Sequence, residues 1–368
     1  MGKIHNLTES EKVLLNILGK HPDITMKDLL QQTPYKWVST VVKKVEQLKK
    51  KRIIGGPIYD IDYQKLCKNP LHKLYCILET EKSPETVISY LLLIESLHWI
   101  VYILSPHKKL LNVGFFSSDD EDIRSLLQLL KDCNIIIDYI TRPYFHRRMV
   151  ENPNFFGDSN PPLDNLLDPC EIPDMSMGSH DMGWSECDIA ILPYLGRGYK
   201  GLKLIEILKK EKKLDRTWTY EQIKYSHEKM VENGLIRKLY VILPYPSNQC
   251  IASRLFLKCE DTEVTQRVLC NFGKETRIYK EYMLCEDWGS ITCISHPLFL
   301  TSIMNKLDLV EEIKEKELFL SYSHSQQVQP RGQSPRLQYY DIDRQVLEYP
   351  YHLYRERIEE KLENEELL

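Results

Sequence analysis

The sequence predicts an α+β fold in which one order of elements occurs twice, and three observations support this prediction. Apolar residues at intervals of three and four indicate short amphipathic helices near both the start and the middle of the chain. Each helical stretch is followed by strands and helices in the order β-α-β-β-α-β. The two stretches, 1–150 and 184–322, have similar lengths. We therefore predict two winged helix-turn-helix domains, each followed by a ferredoxin-like domain.

The first stretch begins with three predicted helices. Thr8 and Glu11 fit a capping box, because the Thr oxygen and the Glu carboxylate can both satisfy free backbone donors of a first helical turn. A second helix is predicted to begin near residues 23–25. The third spans Trp37–Lys51, and its core-facing residues are predicted to be Val38, Val41, Val45 and Leu48. Residues 53–59 are predicted to form a strand, a glycine turn and a strand, which would complete a wing.

The remaining elements follow from alternation and run length. In the first stretch the predicted strands are 71–78, 99–104, 110–116 and 135–140, and the predicted helices are 84–97 and 119–133. In the second stretch the predicted helices are 185–195, 202–210, 219–233, 262–271 and 297–310. Its predicted strands are 235–243, 252–258, 278–284, 290–295 and 317–321.

Composition shifts suggest the domain boundaries. Residues 151–183 contain five prolines, seven acidic residues and neither Lys nor Arg, which is typical of a linker that cannot pack a core. Residues 323–338 are rich in Ser, Gln and Pro. The predicted units are a winged helix-turn-helix at 1–68, a ferredoxin-like domain at 71–145, an acidic linker at 150–183, a second and degenerate winged helix-turn-helix at 184–247, a second ferredoxin-like domain at 250–322, and a tail with a C-terminal helix at 323–368. Aromatic residues in the tail are expected to dock on the chain's own domains or to bind a partner.

The composition excludes several classes of protein. Ten cysteines occur without any Cys-x-x-Cys pair, so a disulfide scaffold or a zinc site is not expected. The apolar runs Tyr90–Ile94 and Trp99–Leu104 are far shorter than the ~20 residues that a membrane span needs. We expect a cytoplasmic protein with no membrane association, no metal site and no cofactor.

The third helix carries the predicted function. The chain has a net charge of −4, yet residues 1–65 hold twelve Lys and Arg against seven Asp and Glu, a balance of +5. Local positive charge of this kind favours binding to the phosphates of DNA. Side chains that can contact phosphates or base edges are predicted on the outer face of the helix and at its end. They are Lys36, Trp37, Ser39, Thr40, Lys43, Lys44, Gln47, Lys50, Lys51 and Arg52.

Less specific interpretations stay open. A basic run on a helix is often only a solvated face, and Trp37 is more readily explained by packing on the core than by contact with DNA. In the second copy Glu221, Glu228 and Glu232 would repel phosphate, so that copy is predicted to contact only the DNA backbone or to act as a dimerisation wedge. A protein-interaction scaffold built from winged helices is a further alternative.

Residues 34–54 resemble the recognition helix and wing of the Lrp/AsnC transcription regulators. Ser39-Thr40-Val41, Lys43-Lys44, Leu48 and Ile53-Ile54 match the pattern of that family. The resemblance implies a tandemly duplicated, sequence-specific regulator that binds double-stranded DNA, as a homodimer or as an intrachain pseudo-dimer. It also implies an amino-acid effector, but residues 105–108 and 286–289 depart from the ligand-loop pattern of the family.

The sequence also bears on whether the chain is an enzyme. The sequence lacks Gly-x-Gly-x-x-Gly, Walker and Gly-x-Ser-x-Gly motifs, and its histidines are scattered, so the chain is predicted not to be an enzyme. The enzymatic alternative is the siroheme decarboxylase family, which resembles a doubled Lrp-type protein. The His-Asn-Tyr stretch of that family is absent, and His98-Trp99 stands at a roughly similar place.

Overall fold

The computed structural model describes residues 7–196, 202–321, 331–332 and 336–366. Its first half contains α1 (Glu9–Lys20), α2 (Met26–Gln31), α3 (Val38–Lys50), β1 (Ile54–Ile61), α4 (Tyr63–Leu66), β2 (His72–Thr80), α5 (Pro84–Leu91), β3 (Leu97–Leu104), β4 (Lys109–Ser117), α6 (Asp120–Asp132), β5 (Asp138–Tyr144) and β6 (Met149–Glu151). The second half contains α7 (Glu186–Leu195), α8 (Leu204–Lys212), α9 (Tyr220–Glu232), β7 (Ile236–Ile242), β8 (Ile251–Cys259), α10 (Thr262–Asn271), β9 (Tyr279–Cys285), β10 (Trp288–Ser295), α11 (Pro297–Asp308) and β11 (Ile313–Ser321). Helix α12 (Tyr351–Glu366) follows. The predicted α+β class, with winged helix-turn-helix and ferredoxin-like arrangements, is confirmed.

Local sequence signals explain several helix ends. The capping box predicted from Thr8 and Glu11 is present at α1. The Asp119 carboxylate accepts hydrogen bonds from backbone amides in the first turn of α6, where negative charge also suits the helix dipole. Gly234 follows α9 with a φ of +66°, a conformation that glycine adopts without a steric penalty.

The two ferredoxin-like units share one strand order. The first has the order β5-β2-β4-β3 and the second the order β11-β8-β10-β9, with β6 added beside β9. Pairing of Ile103 and Leu104 in β3 with Ser321 and Leu320 in β11 joins the two into a ten-stranded sheet, which also includes the short strand Arg331–Gly332 beside β3. One face of each unit packs on its helices. The opposite faces meet in a layer of large side chains that includes Tyr75, Ile103, Tyr144, Phe256 and Met283.

The predicted wing is wrong. Residues 54–61 form the single strand β1, which pairs antiparallel with β7 of the other half instead of folding back as a hairpin. A register irregularity between Gly55 and Ile58 accommodates the Gly-Gly-Pro run. Because the true partner strand lies about 180 residues away in the sequence, local turn signals could not reveal it. The β1–β7 pair therefore connects the two winged units.

The acidic segment is not a passive linker, and the expectation that it cannot pack a core is wrong. Phe155 is buried beside α1, and Leu163, Leu166 and Met175 are buried in the core of the second ferredoxin-like unit. The Asn271 side-chain amide also donates to the main-chain oxygens of Leu166 and Asp168. A few well-placed apolar residues thus order a segment whose average composition is polar.

Other differences are smaller. The helix predicted to reach residue 97 ends at Leu91, and the strand predicted at 135–140 begins at Asp138. Asn134 takes a φ of +54° after α6, and Ile135 and Ile136 are buried in the following turn, so their apolar character marks the core and not a strand. The Ser/Gln/Pro-rich break predicted at 323–338 lies mostly outside the described residues.

The C-terminal tail packs on the first half, as one of the two sequence-based alternatives proposed. Tyr354 and Ile358 of α12 are fully buried in the cluster that also holds the first ferredoxin-like core. The same cluster includes Ile191 and Met230 of the second winged unit. Among the described residues, no helix is both long and apolar enough to cross a membrane.

Candidate ligand cavity and exposed helix face

A cavity of about 720 Å³ lies where the β1–β7 pair meets the inner faces of the two ferredoxin-like units. We call it the central cavity. Both halves line it, so its shape depends on their association within the chain. Volumes between about 300 and 1,000 Å³ are typical of sites for small molecules and cofactors.

Charged side chains from both halves line the central cavity. Six of them are cationic: Lys73, Arg147, Arg148, Arg237, Lys238 and Arg254. Four are carboxylates: Asp23, Asp60, Asp62 and Glu281. The cations exceed the carboxylates, so the lining favours an anionic ligand.

Arg148 lies at the centre of a charge cluster in the cavity wall. Its guanidinium donates to Asp60 Oδ1 at 2.9 Å and to Glu281 Oε2 at 3.1 Å. Burial alone would raise the pKa values of both carboxyl groups, but the charge of Arg148, with further cations nearby, lowers them. Burial opposes the charge of Arg148, yet the two carboxylates raise its pKa. The cluster stays ionised at neutral pH, and it fixes Arg148 between β1 and β9.

Residues after β5 tie the acidic segment to the cavity wall. Arg147 donates to Asp62 Oδ2 at 3.2 Å, and the backbone amide of Gly178 donates to the same oxygen at 2.8 Å. The backbone amide of Arg147 donates to the main-chain oxygen of Met175, and Met177 lines the cavity. Part of the segment predicted to be a linker therefore forms the cavity wall.

Lys73 is a cavity cation with an altered pKa. Burial is the main cause, and it lowers the pKa of Lys73 to about 8 despite the opposing charge of Asp60. Its ammonium lies 5.5 Å from the centre of the Tyr63 ring. No ion pair to Lys73 occurs within the described ranges. It can therefore accept an additional anionic partner.

Three histidines line the cavity: His72, His98 and His146. His72 Nε2 lies 2.9 Å from Asp120 Oδ1, which orients the ring, while its Nδ1 is buried without a hydrogen-bond partner among the described residues. Burial lowers the pKa of His146, although a backbone hydrogen bond at Leu284 opposes this effect. The cavity therefore holds imidazole groups, which commonly act as proton donors and acceptors in proteins.

The residues predicted to contact DNA lie on or beside α3. Eight of them are exposed: Lys36, Trp37, Ser39, Lys43, Gln47, Lys50, Lys51 and Arg52. Thr40 and Lys44 are partly buried. The buried side of the helix contains Val41, Val45 and Leu48, as predicted. The structure thus presents a surface stripe that includes most of the predicted residues, and their contact with DNA stays a prediction.

Three details of this helix differ from expectation. Lys44 does not point freely outward, because its ammonium lies 3.2 Å from the buried Glu11 carboxylate. Val38 was expected in the core but is 40% exposed. Trp37, for which core packing was favoured, is 70% exposed. At the start of α3 the first turn projects beyond the small helical core, which explains the exposure of both residues.

Sequence reasoning missed the cavity residues as a group. His146, Arg147 and Arg148 stand beside the acidic segment without any sequence motif, and His98 belongs only to the incomplete match with the decarboxylase motif. The strands bring them together with residues that are distant in the chain, such as Asp60 and Glu281. The available signal was the placement of His and Arg at strand ends, where side chains of neighbouring strands converge.

Comparisons with known proteins include a match over nearly the full length of the chain. No protein-family profile and no curated protein matches the sequence. The solved structure of the siroheme decarboxylase NirDL is 11% identical, covers 97% of this chain and 100% of its own, and has a TM-score of 0.50. B. subtilis LrpC is 16% identical and covers 38% of this chain and 95% of its own, with a TM-score of 0.30. E. coli AsnC is 18% identical and covers 38% and 92%, with a TM-score of 0.28.

At these identities the full-length match shows the fold alone: the chain has the Lrp/AsnC-like architecture of NirDL. The prediction that the chain is not an enzyme is contradicted, because a protein that shares this architecture from end to end, NirDL, is an enzyme. Missing local motifs were a poor guide here, since the groups that line the central cavity come from separate strands.

Proposed function

We propose that the central cavity binds an anionic tetrapyrrole and that the chain is a decarboxylase acting on carboxylate groups at the edge of that macrocycle. The observation that supports this proposal most directly is the excess of cationic side chains in an interior cavity of about 720 Å³ that also holds three histidines. Guanidinium groups suit carboxylates because they can donate two parallel hydrogen bonds.

The choice of tetrapyrrole rests on size and charge together. Siroheme is the substrate class in the name of the enzyme that shares the architecture. A macrocycle bearing several carboxylates needs cations on more than one wall, and here Lys73 and Arg254 lie on strands of different halves while Arg147 and Arg148 follow β5. Any iron in such a molecule belongs to the substrate.

The reaction requires little beyond binding and a proton donor. The C–C bond to a side-chain carboxylate breaks, CO₂ leaves, and the electron pair stays on the side-chain carbon, delocalised into the macrocycle. A proton then takes the place of CO₂ on that carbon. A histidine can supply it near neutral pH. His72, oriented by Asp120, and the half-buried His98 and His146 are the candidates in the cavity.

The test is an anaerobic titration of the purified chain with siroheme, followed by mass spectrometry of the extracted pigment. We expect a change in visible absorption on binding and products that have lost CO₂. A Lys73→Gln, Arg254→Gln double variant should bind at least tenfold more weakly, because each charged hydrogen bond contributes on the order of 1.5–3 kcal/mol. Lys131→Gln, at an exposed site that does not line the cavity, is the control. Unchanged absorption at saturating pigment would refute the proposal.

A second candidate function, DNA binding by α3, is favoured by one separate observation: the exposed stripe that includes Lys36, Lys43 and Lys50. We propose sequence-specific regulation of the Lrp/AsnC type only as an additional activity of the same chain. An amino-acid effector stays a prediction. The repeated element order and the β1–β7 pairing favour a tandem duplication that forms an intrachain pseudo-dimer.

The DNA proposal is tested by measuring duplex affinity across a salt series. A Lys43→Glu, Lys50→Glu variant should bind more weakly and show a smaller salt slope, because fewer counterions are released. Lys224→Glu on α9, the corresponding helix of the second half, is the matched control, since acidic residues already occupy that face. Absence of wild-type binding at low salt would leave the winged units without this role.

A further inference from the structure

One wall of the central cavity is an indole that lies on a glycine. Trp99 on β3 pairs in register with Gly114 on β4. A side chain on Gly114 would place its Cβ 2.3 Å from Trp99 Cζ2 and Cη2, so only glycine lets the indole lie against this strand. The indole Nε1 donates to Asn112 Oδ1 at 2.8 Å, which fixes its rotation.

The second half has no such wall at the corresponding place. The pairing of His72 with Ser117 corresponds to that of Ile251 with Ser295. In this alignment Thr292 stands where Gly114 is, and its partner Glu281 stands where Trp99 is. The cavity therefore combines an aromatic surface from one half with a charged one from the other, where Glu281 holds Arg148.

We propose that Trp99 is the stacking platform for the face of a planar macrocycle and makes the cavity selective for flat, conjugated ligands over puckered ones. The inference rests on the proposed function and specifies how that site recognises its ligand. Trp99 is only partly buried and lines the cavity together with Asn112. One face of the indole lies on Gly114, the Tyr75 ring lies at a tilt of 43° with its centroid 6.2 Å away, and the part of the indole that lines the cavity can contact a ligand.

The surrounding groups fit this arrangement. The His98 ring lies edge-on to the indole, with centroids 4.9 Å apart and planes at 73°. Arg254, on β8 of the other half, lies over the Tyr75 ring at 4.7 Å. A flat ring on the indole would thus have its edge groups near cations, while its conjugated surface replaces water on the platform.

The test compares two probes that carry the same carboxylates and differ in shape. Uroporphyrin is planar and conjugated, whereas uroporphyrinogen is its reduced, puckered form and is handled without oxygen. Trp99→Leu should weaken uroporphyrin binding about tenfold, the effect of one aromatic stacking contact. The affinity for uroporphyrinogen should change less than about twofold. Trp288→Leu is the matched control, because this second inter-sheet indole packs on Arg142 and does not line the cavity.

Two further variants keep the proposal testable if Trp99→Leu does not fold. Trp99→Phe keeps a smaller ring and should give an intermediate loss for uroporphyrin. Gly114→Ala keeps the indole but displaces it, and it should also lower the preference for the planar probe. If Trp99→Leu folds and binds uroporphyrin like the wild type, or loses both probes equally, the platform is refuted while the proposed function stands. Wild-type protein that binds neither probe refutes both.

Discussion

At the scale of single residues, the central cavity contains cations that form ion pairs within the protein and at least one that forms none among the described residues. Arg148 is held between two carboxylates, whereas Lys73 has an altered pKa and no ion pair within the described part of the chain. The first arrangement stabilises the fold and positions a strand junction. The second leaves a positive charge that a ligand can use. The two kinds of residue should respond differently to substitution.

Replacing Arg148 with Gln should lower the free energy of unfolding by about 2 kcal/mol, less than for a fully buried pair because these side chains keep some exposure. The reason is that Asp60 and Glu281 would lose their shared partner. Urea unfolding monitored by circular dichroism measures the change. Arg267→Gln, which removes an exposed pair with Glu263, should cost less than about 0.5 kcal/mol. Equal effects of the two variants would contradict the assignment.

The same cluster predicts an acid-dependent loss of stability. The folded-state pKa values of Asp60 and Glu281 are lowered, so their contribution is present above the ordinary pKa of a carboxyl group. It is lost as pH falls through the lowered values, because protonation ends the attraction to Arg148. Stability of Arg148→Gln should therefore depend less on pH in the acid range. Parallel acid limbs for both proteins would show that the cluster does not titrate as described.

The lowered pKa of Lys73 predicts that ligand binding depends on pH in the alkaline range. Its pKa of about 8 means that the ammonium loses its proton as pH rises through that value. An anionic ligand is attracted only to the protonated form, so affinity for uroporphyrin should fall between about pH 7 and 9. Lys73→Met should bind about tenfold more weakly at pH 7 and lose this pH dependence. Lys131→Met, at an exposed site, should keep it; a steep profile in Lys73→Met would exclude Lys73 as the cause.

At the scale of elements, sequence periodicity located nearly every helix and strand within a few residues, because each has its own apolar face. Sequence periodicity did not predict strand pairing where the partner strand is distant in the chain. The Gly55-Gly56 run indicated a hairpin, but β1 pairs with β7. It failed again for the acidic segment, since buried Leu163 and Leu166 are too few to change the average composition. The candidate cavity could not be predicted, because its residues converge only through the sheet order.

Leu166→Ala should test the structural role of the acidic segment. This side chain is buried in the second ferredoxin-like core, so its truncation should cost about 2–4 kcal/mol. Limited proteolysis should also cut residues 151–183 faster than in the wild type. The matched control is Leu309→Ala, because Leu309 is 83% exposed and its truncation should change stability by less than about 0.5 kcal/mol. No difference in cleavage would mean that the segment is not anchored there.

At the scale of the whole molecule, the packing does not follow the predicted domain boundaries. One hydrophobic cluster joins the first ferredoxin-like core to the second winged unit and to α12. Another joins α1 to Phe155 and to Tyr240 of β7. The two halves also share a sheet through β3 and β11. Such interlocking predicts that the halves do not unfold independently.

Calorimetry should show a single unfolding transition whose calorimetric and van't Hoff enthalpies agree. Gly56→Ala should lower its midpoint without splitting it, because Gly56 has a φ of +106° and a Cβ there would lie 3.0 Å from the Leu239 oxygen of the other half. Gly183→Ala, where nothing lies within 4 Å of the added atom, is the control. Two resolved transitions would show that the halves are separate cooperative units.

The β1–β7 pair also constrains how the protein is made. The core of the first winged unit includes Tyr240 and Ile242, so it stays incomplete while the ribosome is still synthesising the first 240 residues. Domains in many proteins fold one after another as they emerge. Here the first winged unit cannot complete its core until β7 has been synthesised. A nascent chain stalled before residue 236 should therefore expose Leu14 and Leu18 and depend on chaperones, whereas one stalled after residue 243 and clear of the exit tunnel should not.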